Sequence, residues 1–398
     1  QDDEHADNNL MLDENGKEVK QDEIDCGKSM VRKLIGPKGA IIQEISRRSG
    51  CEITIPDRFQ NSDELKKVKI SSSNEDSIEV AKSLIGNVPL SLFSVTTDFK
   101  KVKNAVVTTG TFDGVHVGHR KIINRLQEVA RRVEGETVLF TLYPHPRLVL
   151  QPDLDLKLIT TLSEKVDLLM EAGLDHLIIY PFTQEFSRTS SLEFVRNILV
   201  NAIGAKKLVI GYDHHFGRNR EGSFEHLKEF GPVYGFDVEE IPAEDVDDVK
   251  VSSTKIRAAL LEGDVSLANR YLNSPFMISG FVVKGNRLGN EIGFPTANIE
   301  LAEEHKLIPC DGVYAVRAKR LETGEMLLGM CNIGHRPTVQ GIGKTIEVNL
   351  FDFKQDIYGE HLRLYFVERI RDEQKFENIV ALKAQLANDE IRSREILG

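Results

Sequence analysis

Cysteine is scarce in this chain: four among 398 residues, at positions 26, 51, 310 and 331. They stand far apart with no Cys-x-x-Cys, which argues against a zinc site and a disulfide scaffold and fits a reducing, cytoplasmic setting. Long apolar runs are missing as well. The longest are strand-length, such as Val138-Leu139-Phe140, too short to cross a bilayer, so no membrane association is expected. The first residues are acidic, without the basic flank and apolar stretch of a signal peptide. Positive charge is in deficit, with 51 Lys+Arg against 62 Asp+Glu and a formal net charge of -11. That balance argues against nucleic-acid binding over the whole surface but leaves room for one basic patch. Hydrophobic residues at 40% and charged residues at 28% are ordinary for a globular protein. The length suits two or three domains of roughly 150 residues each.

Residues 1–27 carry ten Asp/Glu against two Lys, and no apolar pattern precedes Val19. Residues 1–17 are therefore expected to form a disordered acidic tail. From 18 to 88 the pattern is compact. A strand reaches Cys26, and a short helix, Ser29–Ile35, leads to Gly36-Pro37-Lys38-Gly39. A second helix, Ala40–Ser49, has Ile41, Ile42 and Ile45 at helical spacing. Strands Cys51–Ile55 and Lys67–Ser71 follow, then a helix from Glu75.

Between 92 and 272 the rhythm changes. Strands at Ala105–Thr109, Thr137–Leu142, Leu177–Tyr180, Lys207–Gly211 and Val238–Ile241 alternate with helices, which predicts a parallel sheet covered on both faces. The first helix, His119–Val133, is expected to present Ile122, Leu126, Val129 and Val133 on one face. From 273 to 398 short strands punctuated by glycine predict a small antiparallel barrel or sandwich, closed by a helix from Glu373 to Leu397. The fold class is thus multidomain α/β plus β.

The segment Gly110-Thr-Phe-Asp-Gly114-Val-His116-Val-Gly118-His119 falls between the first strand and first helix of the α/β part, where such folds bind phosphates. Its glycines admit close backbone approach. His116 and His119 can aim at one anion and stabilise charge on a phosphorus in transfer. Two surface or capping histidines would show the same spacing. Ser252-Ser253-Thr254-Lys255-Ile256-Arg257 opens a later helix, with hydroxyls at the cap and an Arg one turn in, a second phosphate cradle. Asp213-His214-His215 follows a strand where a substrate loop would lie, although adjacent residues rarely ligate one metal ion together.

In this order and spacing, together with Tyr143-Pro144-His145-Pro146, these segments resemble the bacterial bifunctional riboflavin kinase/FAD synthetase family, from about 92 to 398. The resemblance implies a Rossmann-like nucleotidyltransferase over 92–272. His116 and His119 would be its HxGH pair, and Ser252, Ser253, Thr254 and Arg257 its ATP contacts. Pro144, His145, Pro146 and Asp213 would lie on the flavin side. Leu142 and His214 stand where the family usually has Phe, which bears on ring packing rather than phosphate chemistry.

The C-terminal part carries Gly285-Asn-Arg-Leu-Gly289-Asn-Glu-Ile-Gly293-Phe-Pro-Thr296-Ala-Asn298. Spaced glycines let backbone approach ATP phosphates, and the oxygens of Thr296 and Asn298 suit Mg²⁺; a Gly-rich turn is the plainer reading. On the strand Thr345–Phe353, Ile346, Val348 and Leu350 share one face while Glu347 and Asn349 point to the other. A lone carboxylate there could simply be solvated. With Gly312-Val-Tyr314, Asn332-Ile-Gly-His-Arg336-Pro-Thr338 and Asp356-Ile-Tyr358-Gly359, the order resembles riboflavin kinases. It implies a β-barrel kinase module over 273–398, Glu347 as catalytic base, and Thr296 and Asn298 on Mg-ATP. Asn349 replaces a common His. Gly341-Ile-Gly343-Lys344-Thr345 is not a P-loop, because Thr338 occupies the place of the required first glycine.

The element order over 18–88, with Gly36-Pro37-Lys38-Gly39 between two helices, resembles a KH domain. It implies single-stranded RNA as a partner, held by backbone at that turn with Lys38 over the phosphates. Three readings compete: an enzyme making FMN and FAD from riboflavin and ATP, a nucleic-acid-binding protein with inactive flavin modules, or the enzyme with RNA tethering through Gly36–Gly39 added. The presence of the residues that each active site requires favours the enzyme.

Overall fold

The computed structural model describes residues 17–27, 42–43, 46, 49–55, 65–74, 77–78, 81, 91–93, 99–211, 214–241, 251–284, 293–301, 303–338 and 341–398. The expected tail of residues 1–17, all but Lys17, and the Gly36–Gly39 turn lie outside the described residues. The chain divides into two compact units, Gln1–Pro89 and Leu90–Gly398.

In the first unit, β1 (Lys20–Gly27), β2 (Glu52–Thr54) and β3 (Leu65–Ser72) form an antiparallel sheet in the order β1-β3-β2. Alternation along β3 sets its faces: Val68 and Ile70 are buried with Cys51, Ile78 and Ala81, while Lys67 and Lys69 are exposed.

The second unit begins with six parallel strands: β4 (Ser91–Phe93), β5 (Val106–Thr109), β6 (Thr137–Tyr143), β7 (His176–Pro181), β8 (Lys207–Gly211) and β9 (Asp237–Ile241), ordered β4-β7-β6-β5-β8-β9. Helices on both faces explain why β5 to β8 are almost continuously apolar rather than alternating. The strand order reverses at β5, so the crevice for a ligand opens beyond the C-terminal ends of β5 and β8. Helix α1 (Val117–Arg132) begins earlier than the sequence pattern suggests, with His116 at its N-cap. It buries Ile123, Leu126, Val129 and Ala130, a stripe turned by one residue from the expected one. Short α2 (Pro146–Leu150) and α3 (Leu162–Glu171) follow. Then come π-helical α4 (Phe194–Ile203), α5 (Phe224–Tyr234), α6 (Ser253–Glu262) and α7 (Val265–Leu272).

The C-terminal half is a closed antiparallel barrel of β10 (Phe276–Val283), β11 (Ala297–Glu300), β12 (Gly312–Arg320), β13 (Met326–Thr338), β14 (Gly341–Leu350) and β15 (His361–Arg371), ordered β10-β11-β14-β13-β12-β15. Strands β13 and β14 extend further toward their shared turn than the apolar pattern indicates. The four-residue β11 is not announced by that pattern, because only Ile299 on it is buried. Helix α8 (Ile379–Leu397) starts later than expected, where the Asn378 side chain accepts the Ala381 amide at 2.9 Å. It covers an apolar patch of Val313, Ala315, Met330 and Phe351 outside the barrel.

The two halves of this unit share one core. Ile159, Ile256, Leu260 and Leu272 pack in a single cluster with Ile278, Leu307, Val348 and Phe366, and each fully buried side chain of this size contributes about 1.5–3 kcal/mol. Polar bonds reinforce the seam. Glu164, in the capping box of α3, accepts the Ser279 amide at 2.9 Å and the Lys306 ammonium at 2.5 Å, with both charged side chains at 0% exposure. Arg363 meets Asp167 at 2.8 Å. Lys306→Met would leave the Glu164 charge buried and unmatched, and is expected to cost about 3 kcal/mol. Urea unfolding of the full chain reads this out, and adding Glu164→Gln should recover most of the loss. Full stability in the single variant would contradict the ion-pair account.

Candidate active site

The loop Gly110–His119 leaves β5 at the switch point and turns into α1. Positive φ at Phe112, Gly114 and Val115 folds it tightly. The rings of His116 and His119 stack with centroids 3.7 Å apart, and Phe112 stacks on His119 at 4.6 Å. Nδ1 of His119 is buried with no hydrogen-bond partner among the described residues. Burial holds the His119 pKa well below its ordinary value, helped by His116 and Lys165 nearby. The ring is therefore neutral at pH 7, and an arriving phosphate would favour its protonated form.

Asp113 organises this loop. Its carboxylate accepts the amides of Ile159 and Thr160, each at 3.1 Å, the Thr160 hydroxyl at 3.2 Å and Arg257 Nη2 at 2.5 Å. Ser253 Oγ donates to the Asp113 carbonyl at 3.1 Å. The N-terminus of α6 is thus bolted to the HxGH loop although the two lie far apart in sequence. Ser252 caps α6 by accepting the Lys255 amide at 3.3 Å, and Ser252 and Thr254 are exposed. Arg257 also gives Nε to the Lys157 carbonyl at 2.7 Å, which leaves Nη1 for a ligand. Sequence reasoning assigned no role to Asp113: it stands inside the quoted motif, but its partners come from three distant segments.

His145 caps α2, accepting the Arg147 amide at 3.2 Å. Burial pushes its pKa down to about 4 against the opposing pull of Asp113, with Lys165 and Arg257 lowering it further. The Pro144-His145-Pro146 segment thereby reaches the same crevice as the HxGH loop. His214 meets Thr109 Oγ1, at the end of β5, at 2.8 Å and stacks against Phe216. Asp213, Gly285 and Gly289 lie outside the described residues. Among the described residues, no cluster of His, Cys, Asp and Glu could hold a metal ion by itself.

In the barrel, cross-strand register does the assembling. Glu347 on β14 stands opposite Asn298 on β11 and opposite Asn332 on β13, a polar row on one face. Ile346, Val348 and Leu350 turn into the barrel core, the alternation expected from sequence. Glu347 and Asn349 are each 7% exposed, and Asn349 donates to the Pro295 carbonyl at 2.7 Å. On the face opposite this row a cavity of about 460 Å³ is lined by Thr296, Pro295, Val282, Val348 and Tyr358, among others. Thr296 lines it together with Ala297, Val348 and Leu350, whereas Glu347 and Asn298 alternate to the other face of β14 and β11 and are not among its lining residues. Arg320 braces its wall, bonding both Glu360 oxygens at 2.8 and 2.7 Å and Gln355 at 3.2 Å. The hard oxygens of Thr296 and Asn298, near a carboxylate, fit Mg²⁺, which takes few protein ligands beside phosphate and water.

A parallel sheet with an HxGH loop at its switch point, fused to a six-stranded barrel with a polar row around one buried carboxylate, defines a nucleotidyltransferase joined to a kinase-type barrel. Family models agree module by module: FAD synthetase matches residues 98–255, riboflavin kinase 272–397 and the KH domain 21–87. The chain is 40% identical over 297 residues to the bifunctional riboflavin kinase/FMN adenylyltransferase of Escherichia coli strain K12, covering 74% of this chain and 94% of that protein. To the Haemophilus influenzae protein of the same name it is 37% identical, covering 72% and 92%. A solved structure described as a macrolide-efflux protein from Streptococcus pneumoniae superposes with a TM-score of 0.69 at 33% identity, over 75% of this chain and 96% of that one. The chain belongs to the bifunctional riboflavin kinase/FMN adenylyltransferase family and carries a KH domain ahead of it. No helix among the described residues is long and apolar enough to cross a membrane.

Proposed function

We propose that this chain makes FMN and FAD from riboflavin and ATP at two sites. At the barrel, Glu347 accepts the proton of the ribityl 5′-hydroxyl as that oxygen attacks the γ-phosphorus of ATP and ADP departs. Thr296 and Asn298 would hold the Mg²⁺, which supplies charge neutralisation on the phosphates when bound. At the α/β site the FMN phosphate oxygen attacks the α-phosphorus of a second ATP, and pyrophosphate leaves. His116 and His119 stabilise the charge gathered there, with α6 presenting Ser252, Ser253, Thr254 and Arg257 to the phosphates and Gly110, Gly114 and Gly118 admitting them. His145, between Pro144 and Pro146, and Asp213 belong to the flavin side; Gly285, Gly289 and Gly293 belong to the ATP loop of the barrel.

The observation that carries this reading is Asp113, which joins the HxGH loop and the α6 N-terminus into one site. Incubation with riboflavin, ATP and Mg²⁺, followed by chromatography, should yield FMN and then FAD. Unchanged riboflavin would overturn the reading.

The KH domain supports a second capacity, single-stranded RNA binding at Gly36-Pro37-Lys38-Gly39. Gly39→Asp places a carboxylate where the backbone would meet phosphate. It is expected to weaken RNA binding by about tenfold or more, read by a gel-shift titration, with FAD synthesis intact. Loss of both would show that the two functions are not independent.

A further inference from the structure

Lys165 lies in the first turns of α3, and its side chain is withdrawn from solvent at 7% exposure. Its ammonium makes one hydrogen bond, to the Thr111 carbonyl in the HxGH loop, at 2.8 Å. Among the described residues no carboxylate comes within ion-pair distance of it. Of the two carboxylates whose charge acts on it, Asp113 has its oxygens engaged by Ile159, Thr160 and Arg257, and Glu303 accepts the Leu162 amide at 3.3 Å. An ammonium has three donors, so two are left over on a buried charge that is only partly compensated, an arrangement that costs stability unless an anion completes it.

The surroundings say where that anion would sit. The bond to Thr111 holds the ammonium against the HxGH loop, and its charge is felt by both His119 and His145, so an anion held between that loop and the Pro-His-Pro segment would come within its reach. Burial lowers the lysine's pKa, and Asp113 and Glu303 counter the effect only in part. A bound dianion would do the opposite and hold the ammonium charged. Helix α3 is fixed by its capping box and by Glu164 in the seam, so the group is held on a rigid support.

We propose that Lys165 is a phosphate-binding group of the adenylyl-transfer site, donating to a substrate phosphate that lies between it, His119 and His145. The inference rests on placing adenylyl transfer at His116 and His119. The phosphate could be that of FMN or one from ATP, and both present the same chemistry.

Lys165→Met in the full chain, assayed for FAD formation from FMN and ATP and for the reverse reaction of FAD with inorganic pyrophosphate, separates these sources. A rise of about tenfold or more in the KM for FMN, with that for pyrophosphate unchanged, assigns the FMN phosphate. A matching rise for ATP and pyrophosphate, with FMN unchanged, assigns the ATP phosphates. All three KM values within about twofold of the parent overturn the proposal, even if the melting temperature falls, because a purely structural lysine predicts that pattern. Riboflavin phosphorylation in the same preparation reports folding. If it is lost, Lys165→Gln, which keeps a donor for the Thr111 carbonyl, is read by the same criteria. If the unaltered chain makes no FAD from FMN, the placement of adenylyl transfer has failed rather than the lysine assignment.

Discussion

Glu347→Gln is expected to lower FMN formation from riboflavin by roughly 10³-fold, the scale of a lost general base, while FMN supplied from outside is still converted to FAD. The change keeps the shape of a side chain that is 7% exposed and flanked in register by Asn298 and Asn332, so the barrel should fold normally. What disappears is the acceptor for the 5′-hydroxyl proton. The two conversions are measured in one preparation by separating riboflavin, FMN and FAD. If FAD formation from FMN fell in parallel, the assignment of two separate sites would be wrong.

His119→Ala should give the mirror image. Riboflavin phosphorylation continues and FMN accumulates, because adenylyl transfer falls by roughly 10²–10³-fold, the usual loss for a donor aimed at transition-state charge. The ring contributes more than a nitrogen. It is sandwiched between Phe112 and His116, so its removal also loosens the loop that holds Asp113. His119→Asn, which restores a polar donor but not the stack, should recover part of the rate. Recovery of none would point to the ring's packing as its main contribution.

Local patterns made much of this legible beforehand. Val106, Val107 and the run Leu177–Ile179 announce a buried parallel sheet, and the alternation from Ile346 to Leu350 places Glu347 opposite the core face. The HxGH loop and the Ser252–Arg257 helix start were visible because each is a contiguous run. What escaped has partners distant in sequence. Asp113 is explained only by Thr160 and Arg257, and Lys165 only by the Thr111 carbonyl. Strand β11 escaped for another reason: its short span carries one buried residue, and its identity comes from pairing with β10 and β14 rather than from its own composition.

The Glu164 seam also bears on inheritance. One carboxylate serves as helix cap, as acceptor for a barrel amide and as counter-ion for Lys306. Changes on either side of residue 272 are therefore tolerated only in step. A chimera that takes its barrel from a relative must bring a compatible partner for Glu164, or import α3 along with it. Two catalytic halves joined this way descend as one heritable piece, although each has the outline of a module that could be traded alone.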